Sequence, residues 1–422
     1  MKHRRVVITG LGILAPNGIG KDEFWNNLVA GKSSIDYISS FDVSAYPSKI
    51  AGQVKSFSPR DYLSARVAKT AARFSQFAMA ATRLALDDAK LTLNPSLASA
   101  VAVCYGTSVN GVGDIADEAA QALHSGSGIG GMKPWAVLEY PGHAASSYVA
   151  IEFGITGPAL SVSSNCCTGI DALHTAASYI AEGKVKLAIA GGCDAPLFPL
   201  SFAGFCALGA LSSRPQDPQK ASRPYDLMRD GIVLAEGAAS LVLEDLDFAL
   251  DRGAHIYAEI LGHAAASEAL GMRKGDIEGH IMAATLTSAI ADARLSPVDI
   301  DHINAHGSSL PDYDICDTNG FKKALGTHAY SVPISSIKSM IGQPVSAAGA
   351  LQAACACLSL EHQIVPPTIN QDFPDPRCDL DYVPNHARPA RVRNVLLNGH
   401  SFGGSVSALI IGKPSGRYAN GS

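Results

Sequence analysis

The stretch MAATRLALDDAKL at 79–91 returns later in the chain as MAATLTSAIADARL at 282–295. An apolar, strand-like run follows each copy. This run is VAVCYGTS at 101–108 after the first copy and HINAHGSS at 302–309 after the second, so both runs close on serine. The chain therefore contains two related α/β segments, and the repeat predicts a duplicated α/β unit.

The similarity extends further along each copy. An apolar run that closes on Ser-Ser is ALSVSSN at 159–165 in the first copy and SVPISSIK at 331–338 in the second. A strand with a glycine turn then follows, LAIAGGCDA at 187–195 and NVLLNGHSFGG at 394–404. Alternating strands and helices of this kind are typical of a parallel-type sheet with crossover helices. Equivalent strand ends of the two units should meet about a pseudo-twofold axis.

Each copy carries different reactive side chains near those strand ends. The first copy offers Cys166, and the second offers His306, Lys338 and Gln343. Functional groups at the carboxyl ends of strands can converge on one pocket. We therefore expect the chemistry at the junction of the two copies.

Composition narrows the class of protein. The chain has 422 residues, of which 47% are hydrophobic and 17% charged, and its formal net charge is −5. The length suits a duplicated core, and the charges form no runs that would bind nucleic acid. No apolar run is long enough to cross a membrane, and Cys355 and Cys357 lie too close together for a zinc knuckle. We predict a cytoplasmic protein without a metal site.

The N-terminal region imitates a dinucleotide fingerprint with Gly10, Gly12 and Ala15. That fingerprint needs a helix that begins at once, so that the helix N-terminus meets the pyrophosphate. The Pro-Asn-Gly run at 16–18 argues against such a helix. We therefore interpret the segment as a plain first strand.

A candidate nucleophile lies in ALSVSSNCCTGIDALHTAASYIAEGK at 159–184, which indicates strand, tight turn and helix. Either Cys166 or Cys167 would then lie at a helix N-terminus. The helix dipole and free N–H groups there should lower the pKa of the thiol and can stabilise an oxyanion. The alternative is a buried, inert cysteine.

The second copy places His306 directly after an apolar strand, within DHINAHGSSLPDYDICD at 301–317. Taken alone, a histidine at a strand end is more often a polar side chain without a catalytic role than a catalytic residue. Lys338 similarly could be a simple surface charge. An acidic partner such as Asp317 would instead hold this lysine at its turn.

These motifs together resemble the β-ketoacyl-[acyl-carrier-protein] synthases, the thiolase-fold condensing enzymes of fatty-acid and type II polyketide assembly. The resemblance covers nearly the whole chain, through VVITGLGILAPNG, SSNCCTGIDAL, ASRPYDLMRDGIVLAEGA, NAHGSS, SSIKSMIGQ and NGHSFGGS. It implies an α/β, thiolase-like fold of duplicated halves in five layers, α-β-α-β-α. Residues 1–253 would form the half with the nucleophile, and residues 254–422 the half with His306, Lys338 and Gln343.

The resemblance selects Cys166 over Cys167, because the family's nucleophile lies three residues before the glycine that matches Gly169. Phe402 matches the family's phenylalanine in the closing S-F-G-G turn. By resemblance it gates the acyl pocket, and its N–H completes the oxyanion hole with that of Cys166.

In the second half, His306 matches the histidine of the family's N-A-H-G turn, and Lys338 matches the family's lysine. Asp317 matches the glutamate that usually partners this lysine. The resemblance also marks three substrate-binding positions, which are Ser308, Gly403 and Gly404.

Two departures from the family pattern concern the extender-unit side of the site. Gln343 replaces the second catalytic histidine, and Leu310 replaces a hydroxyl residue that meets the phosphopantetheine arm in relatives. An amide can still donate a hydrogen bond to an enolate oxygen. A Cys-His-Gln site is therefore compatible with decarboxylative condensation, although loading of Cys166 is the better supported half-reaction.

The expected function is condensation of an acyl group on Cys166 with malonyl-carrier protein. The alternatives are a chain-length-factor-like subunit or an enzyme that retains only acyl transfer. The resemblance implies no cofactor beyond the phosphopantetheine of an acyl carrier protein. Arg66 and Lys69 could contact that acidic partner. We expect a homodimer, or a heterodimer with a paralogue, that pairs through the strand at Ala159–Ser163.

Overall fold

The computed structural model of the protein describes residues 4–214 and 216–414. The elements of the first half are β1 (Val6–Ala15), β2 (Gly18–Ile19), α1 (Lys21–Val29), β3 (Ile35–Tyr37), β4 (Ile50–Gly52), α2 (Ala65–Thr70), α3 (Arg73–Asp88), α4 (Pro95–Ala98), β5 (Val101–Gly106), α5 (Val112–His124), α6 (Ala136–Glu139), α7 (Ala144–Phe153), β6 (Ala159–Val162), α8 (Thr168–Ala181), β7 (Leu187–Asp194), α9 (Pro199–Leu208), β8 (Gly237–Asp245) and α10 (Leu246–Asp251). Those of the second half are β9 (Ala258–Ser267), α11 (His280–Asp292), β10 (His302–Asn304), α12 (Pro311–Leu325), β11 (Ile334–Ser335), α13 (Lys338–Ile341), α14 (Ala347–His362), β12 (Ile364–Val365), β13 (Arg388–Pro389), β14 (Asn394–His400) and β15 (Ser405–Gly412).

The main strands follow one another in the order β11-β10-β14-β15-β9-β1-β8-β7-β5-β6. Each half contributes a parallel core, in which β5 lies between β6 and β7, and β10 lies between β11 and β14. In the first half, the antiparallel strand β8 pairs with β1. In the second half, the antiparallel strand β15 pairs with β9. The same order runs outward from the centre in both directions, so the predicted duplication is confirmed.

The helices make five layers with the two halves of this sheet. The central helices α8 and α14 pack against each other and against strands of both halves. Outside them, α3 and α7 cover the first half, while α11 and α12 cover the second. The expected α-β-α-β-α architecture is therefore confirmed, and it explains why α14 has almost no exposed side chain.

The two halves are not separated by a linker. Residues Val6–Ile8 of β1 pair with Ala258–Ile260 of β9, which makes the sheet continuous from one half to the other. The division between residues 253 and 254 stays a prediction. Residues 415–422 of the second half lie outside the described part of the chain.

Gly10 and Gly12, the glycines that imitate a dinucleotide fingerprint, allow β1 to pack closely against α3. Gly10 and Gly12 lie within β1, and the next helix, α1, begins only at Lys21, after β2. A Cβ on Gly12 would lie 1.8 Å from the carbonyl oxygen of Ala81 in α3, and one on Gly10 would lie 2.3 Å from that of Ala85. The glycines therefore let α3 approach the sheet closely. The expected plain first strand is observed.

None of the helices within residues 4–214 and 216–414 is both long and apolar enough to cross a membrane. A cytoplasmic location stays a prediction.

Candidate active site

Cys166 lies in a single 3-10 turn, Asn165–Cys167, that connects β6 to α8. Asn165 has a φ of +56°, in the left-handed region that this sharp turn requires. Close helix packing brings α14 to the same place. A Cβ on Gly169 would lie 2.6 Å from the backbone nitrogen of Ala350, so glycine is needed where the two central helices meet.

The environment of the Cys166 thiol differs from the expectation. The residue is 7% exposed, and burial raises the pKa of its thiol to about 12, although the nearby Lys338 charge acts to lower it. Removal from water penalises the thiolate more strongly than its neighbours favour it. The predicted lowering of the pKa at the helix N-terminus is therefore wrong for this structure.

The adjacent thiol points elsewhere. The Sγ atom of Cys167 donates to the carbonyl oxygen of Ser405 at 3.2 Å, and the residue is fully buried against β15. Only Cys166 of the pair lines the pocket described below. The geometry therefore supports the choice of Cys166 as the candidate nucleophile.

The turn after β10 holds His306 by its backbone. The His306 N–H donates to Oδ1 of Asn398 at 2.9 Å, and its carbonyl accepts from Nζ of Lys338 at 2.6 Å. The next N–H, of Gly307, donates to Oδ2 of Asp317 at 2.9 Å. By contrast, Nδ1 of the ring is buried without a hydrogen-bond partner in the described residues. The backbone of the turn is fixed while the ring stays uncommitted.

Lys338 and Asp317 do not form the direct pair that the sequence predicted. Besides Gly307, the Asp317 carboxylate accepts from the Tyr225 hydroxyl at 3.1 Å and from Nδ2 of Asn398 at 2.8 Å. Three donors therefore occupy Asp317, while Lys338 reaches the carbonyl of His306. The prediction of a direct partner is wrong, and both groups act instead on the backbone of one turn.

The protonation states follow from burial. Burial lowers the pKa of Lys338 to about 8, against the opposing effects of Cys166 and Asp317. Burial also lowers the pKa of His306 well below its ordinary value, and the charges of Lys338 and His400 lower it further. His306 is therefore a neutral imidazole at neutral pH, with one N–H to donate and one bare nitrogen.

Gln343 is fixed by its backbone in a similar way. Its N–H donates to the carbonyl of Val233 at 2.7 Å, and its own carbonyl accepts from the N–H of Ala235 at 3.0 Å. The side chain is buried, and its Oε1 has no partner in the described residues. The amide is therefore available to a substrate, because the described residues do not occupy its oxygen.

One pocket brings most of the predicted groups together. Five of them line it, namely Cys166, His306, Ser308, Gln343 and Phe402. Further lining comes from Asn165, Phe205, Ile232, Leu310, Tyr313, Val345 and His400. Lys338 and Asp317 lie outside the lining, behind the His306 turn. The pocket thus places a thiol, an imidazole and an amide before one mostly apolar space.

Gly403 and Gly404 are not part of this lining, and their predicted role as substrate-binding residues is not supported by the geometry. They have φ values of +92° and +79° and turn the chain from β14 into β15. The Gly403 N–H donates to the carbonyl of Met272 at 3.1 Å, and the Gly404 carbonyl accepts from the N–H of Glu268 at 2.8 Å. The turn positions Phe402 at the pocket.

The predicted oxyanion hole keeps its donors. Within residues 4–214 and 216–414, neither the Cys166 N–H nor the Phe402 N–H has a backbone acceptor. Nδ2 of Asn165 donates to the Phe402 carbonyl at 3.5 Å, which links the two turns. The oxyanion hole stays a prediction that this arrangement permits.

Sequence reasoning missed Asp194, the last residue of β7. Its fully buried carboxylate accepts from the Thr107 hydroxyl at 2.8 Å and from the N–H groups of Val109 and Ser346, each at 3.0 Å. It therefore ties the turn after β5 to the start of α14. The surrounding LAIAGGCDA contains no signal of this role, because the bound groups lie far away in sequence.

His400 was also missed as a pocket residue, although it lies within the quoted run NGHSFGG. Its ring stacks on Tyr313 with the centroids 4.2 Å apart. Tyr313 in turn contacts the Phe402 ring edge-on at 5.6 Å. A polar residue in an otherwise apolar and glycine-rich run was the available signal.

Comparisons with known proteins agree with this geometry. The family model for the N-terminal domain of beta-ketoacyl synthase matches residues 3–249, and that for the C-terminal domain matches residues 257–372. The chain is 41% identical over 423 residues to the granaticin polyketide putative beta-ketoacyl synthase 1 of Streptomyces violaceoruber, with 97% of this chain and 99% of the relative covered.

A second relative is the 3-oxoacyl-[acyl-carrier-protein] synthase 2 of Coxiella burnetii, 39% identical, with 98% of this chain and 99% of the relative covered. Among solved structures, a type II PKS acyl-carrier protein in complex with its ketosynthase, bound to the hexaketide, matches with a TM-score of 0.90 and 36% identity, covering 98% of this chain and 100% of that one. The thiolase-like fold is thereby confirmed. The chain belongs to the β-ketoacyl synthase family, the acyl-transferring condensing enzymes of fatty-acid or type II polyketide synthesis.

Proposed function

We propose that the protein condenses an acyl thioester on Cys166 with malonyl-carrier protein through a Cys-His-Gln site. One observation carries the proposal. The thiol of Cys166, the ring of His306 and the amide of Gln343 line one pocket, and neither the His306 Nδ1 nor the Gln343 Oε1 has a hydrogen-bond partner among the described residues. Buried polar groups without partners are rare unless a ligand uses them.

In the first step, the sulfur of Cys166 attacks the thioester carbonyl of an acyl-carrier protein. A new C–S bond forms as the bond to phosphopantetheine breaks, and the thiol proton of Cys166 ends on the leaving sulfur. The N–H groups of Cys166 and Phe402 would hold the oxyanion. Lys338 assists, because its positive charge favours the thiolate of Cys166.

In the second step, the malonyl thioester carbonyl accepts hydrogen bonds from the His306 ring and the Gln343 amide. The bond to the carboxylate breaks, CO₂ leaves, and the electron pair forms an enolate that the two donors stabilise. The enolate carbon then attacks the acyl carbonyl on Cys166. A C–C bond forms, and the Cys166 thiolate leaves and takes up a proton from water.

The arrangement of His306 supports this role. A neutral imidazole donates one hydrogen bond without having to lose a proton first, and burial keeps the ring neutral. Lys338 and Asp317 fix the backbone on either side of its peptide, which holds the Cα atom of His306 in place beside the pocket. Hydrogen-bond donors that are already in position cost little reorganisation free energy when the enolate forms.

The partner would be an acyl carrier protein, which brings both substrates on its phosphopantetheine; no further cofactor is proposed. Arg66 and Lys69 are exposed on α2 and could meet its acidic surface. The second partner would be another copy of the chain or a paralogue. The edge strand β6 is only partly buried, whereas the opposite edge strand β11 is fully buried. An open edge of this kind favours pairing with another chain, and a stable monomer in sedimentation would contradict it.

The decisive experiment measures the release of labelled CO₂ from malonyl-carrier protein, with the paralogue added if the protein alone is silent. Gln343→Ala should leave acylation of Cys166 nearly intact and slow CO₂ release by about a hundredfold, since it removes one of two enolate donors. Gln343→His should retain or raise release. Gln121→Ala, at an exposed glutamine of α5, is the matched control.

The same assay separates the alternatives. Readily acylated wild-type protein that releases no CO₂ under either condition would identify an acyl-transfer or chain-length-factor-like subunit. Unchanged release by Gln343→Ala would remove Gln343 from the mechanism and leave the condensing function in place.

A further inference from the structure

Three buried side chains near the end of β14 bring metal-ligating atoms together. Glu268 directly follows β9, Cys316 lies in α12, and His400 is the last residue of β14. Each residue offers one ligand atom, and the three atoms lie within 4.8 Å of one another. Within residues 4–214 and 216–414, no other group of His, Cys, Asp and Glu side chains forms such a cluster.

The polar atoms of this cluster are buried without hydrogen bonds. The side chains of Glu268 and His400 have no exposed surface, and Cys316 is 1% exposed. Nε2 of His400 lies 3.0 Å from Oε1 of Glu268, yet both carboxylate oxygens and both ring nitrogens lack a hydrogen-bond partner among the described residues. The two side chains are therefore close together without being aligned for a hydrogen bond. Buried polar groups in this state cost free energy, which an ion between them would recover.

The spacing suits ligands that share one ion. Zinc binds carboxylate oxygen, imidazole nitrogen and thiolate sulfur at about 2.0–2.3 Å in a tetrahedron, so its ligand atoms lie roughly 3.3–3.7 Å apart. The ligand atoms here are separated by 3.0 Å between His400 and Glu268 and by at most 4.8 Å within the cluster. Small side-chain movements would bring all three to the distances that zinc requires.

The types of ligand favour zinc over the hard cations. A thiol, an imidazole and a carboxylate are each common zinc ligands, whereas calcium and magnesium bind mostly through oxygen. In the metal-free protein, burial raises the pKa of the Cys316 thiol, and the charges of Asp317 and Glu268 raise it further. A coordinated ion reverses this effect, because its own charge deprotonates the thiol that binds it. Zinc binding would therefore release a proton from Cys316.

We propose that Glu268, Cys316 and His400 bind a zinc ion, with water in the remaining coordination position. The sequence predicted no metal site, because positions 268, 316 and 400 form no local motif. The ion would join the end of β9, helix α12 and the end of β14, which leads into the turn that carries Phe402. It takes no part in the steps proposed above, and its presence can be measured without any acyl substrate.

The test measures the metal content of the full-length protein, purified without an affinity tag. Inductively coupled plasma mass spectrometry should find about one zinc ion per chain in the wild type. Cys316→Ala should lower the zinc content by more than about tenfold, since it removes one of three ligands. Cys104→Ala is the matched control, because it removes another buried thiol, in β5, outside the cluster.

Cobalt provides a readout of the sulfur ligand itself. Wild-type protein produced in zinc-depleted, cobalt-supplemented medium should show the near-ultraviolet charge-transfer band of a cobalt–thiolate bond. Cys104→Ala should keep this band, and Cys316→Ala should lose it. Removal of zinc by a chelator should also lower the Tm of the wild type and leave that of Cys316→Ala unchanged, because only the wild type has an ion to lose.

Each outcome bears on the site. Wild-type protein that holds no zinc, both as purified and after incubation with excess zinc and desalting, overturns the proposal, and this result needs no variant to fold. Zinc retained equally by Cys316→Ala overturns it too, because the ion would then lie elsewhere. An unchanged Tm of the wild type after zinc has been removed would overturn the joining of the three segments. All of these results leave the proposed function intact, since CO₂ release tests that function separately.

Discussion

The two halves present the same two turns to the centre of the molecule but use them in opposite ways. In the first half, the turn after β5 is committed, since the Thr107 hydroxyl donates to Asp194, while the elbow before α8 directs Cys166 into the pocket. In the second half, the turn after β10 directs His306 into the pocket, while Lys338 at the elbow region is committed to the His306 carbonyl.

Duplication therefore supplies two equivalent frames, and at these two turns each frame contributes one available group and one committed group. Gln343 adds a second available group from the second half. The available groups come from non-equivalent positions, an elbow in one half and a strand turn in the other. The committed groups hold the backbone near the available ones. The site therefore depends on different side chains at equivalent turns of the two halves. Substitution of one side chain at a time tests this division of roles.

The largest effect should come from the available group of the first half. Cys166→Ala should reduce acyl loading by more than about a thousandfold, because no other thiol lines the pocket. Cys167→Ala is the matched control and should load normally, since that sulfur faces Ser405. Peptide mapping after incubation with acyl-carrier protein gives the result. An acyl mass on Cys167 would show that Cys166 is not the available nucleophile of the first half.

The available group of the second half should affect the other step. His306→Ala should slow CO₂ release from malonyl-carrier protein by roughly a hundred- to a thousandfold, at least as much as Gln343→Ala, because it removes the pocket's enolate-facing imidazole. Acylation of Cys166 should change little. Equal loss of both half-reactions would show that the two halves do not divide the chemistry in this way.

The raised pKa of the Cys166 thiol predicts a distinct pH dependence of alkylation. The thiolate is the reactive form, so below a pKa of about 12 the rate should rise tenfold per pH unit, about a hundredfold from pH 7 to pH 9. Iodoacetamide labelling read by mass spectrometry, with Cys166→Ala as the background, measures it. A plateau near pH 9 would instead indicate an ordinary or activated thiol.

The committed lysine should have the smallest effect. Lys338→Met should slow CO₂ release by about tenfold, the equivalent of about 1.4 kcal/mol, since it loosens the His306 turn. Its charge also lowers the pKa of His306, so the acidic limb of the pH profile should move to higher pH in the variant. Lys32→Met, at an exposed lysine, is the control. An acidic limb at the same pH in the variant and in the wild type would show that the Lys338 charge does not act on the pKa of His306.

Much of the fold could be predicted from the chain because the repeat is local in sequence. The copies at 79–91 and 282–295 became the equivalent helices α3 and α11, and the Ser-Ser runs led to the two elbows. Residue motifs also predicted five members of the pocket lining. Local spacing is enough for such features, since a helix or turn depends on neighbours within a few residues.

The errors concern contacts between distant residues. Lys338 was assigned Asp317 as its partner, yet Asp317 binds Gly307, Tyr225 and Asn398 instead. Asp194 was overlooked because its donors come from both halves. Which donors reach a carboxylate depends on distances in space, and no spacing along the chain encodes them.

The sequence by itself determined the duplicated topology, the plain first strand in place of a dinucleotide fingerprint, and the kinds of side chain at the strand ends. Only the tertiary structure decided how deeply each of these side chains is buried and which of them have no hydrogen-bond partner in the described residues. Burial raises the pKa of Cys166 despite its position beside a helix N-terminus, and burial lowers the pKa of His306. The reason is that desolvation depends on every atom packed around a group, and most of those atoms belong to residues far away in the chain.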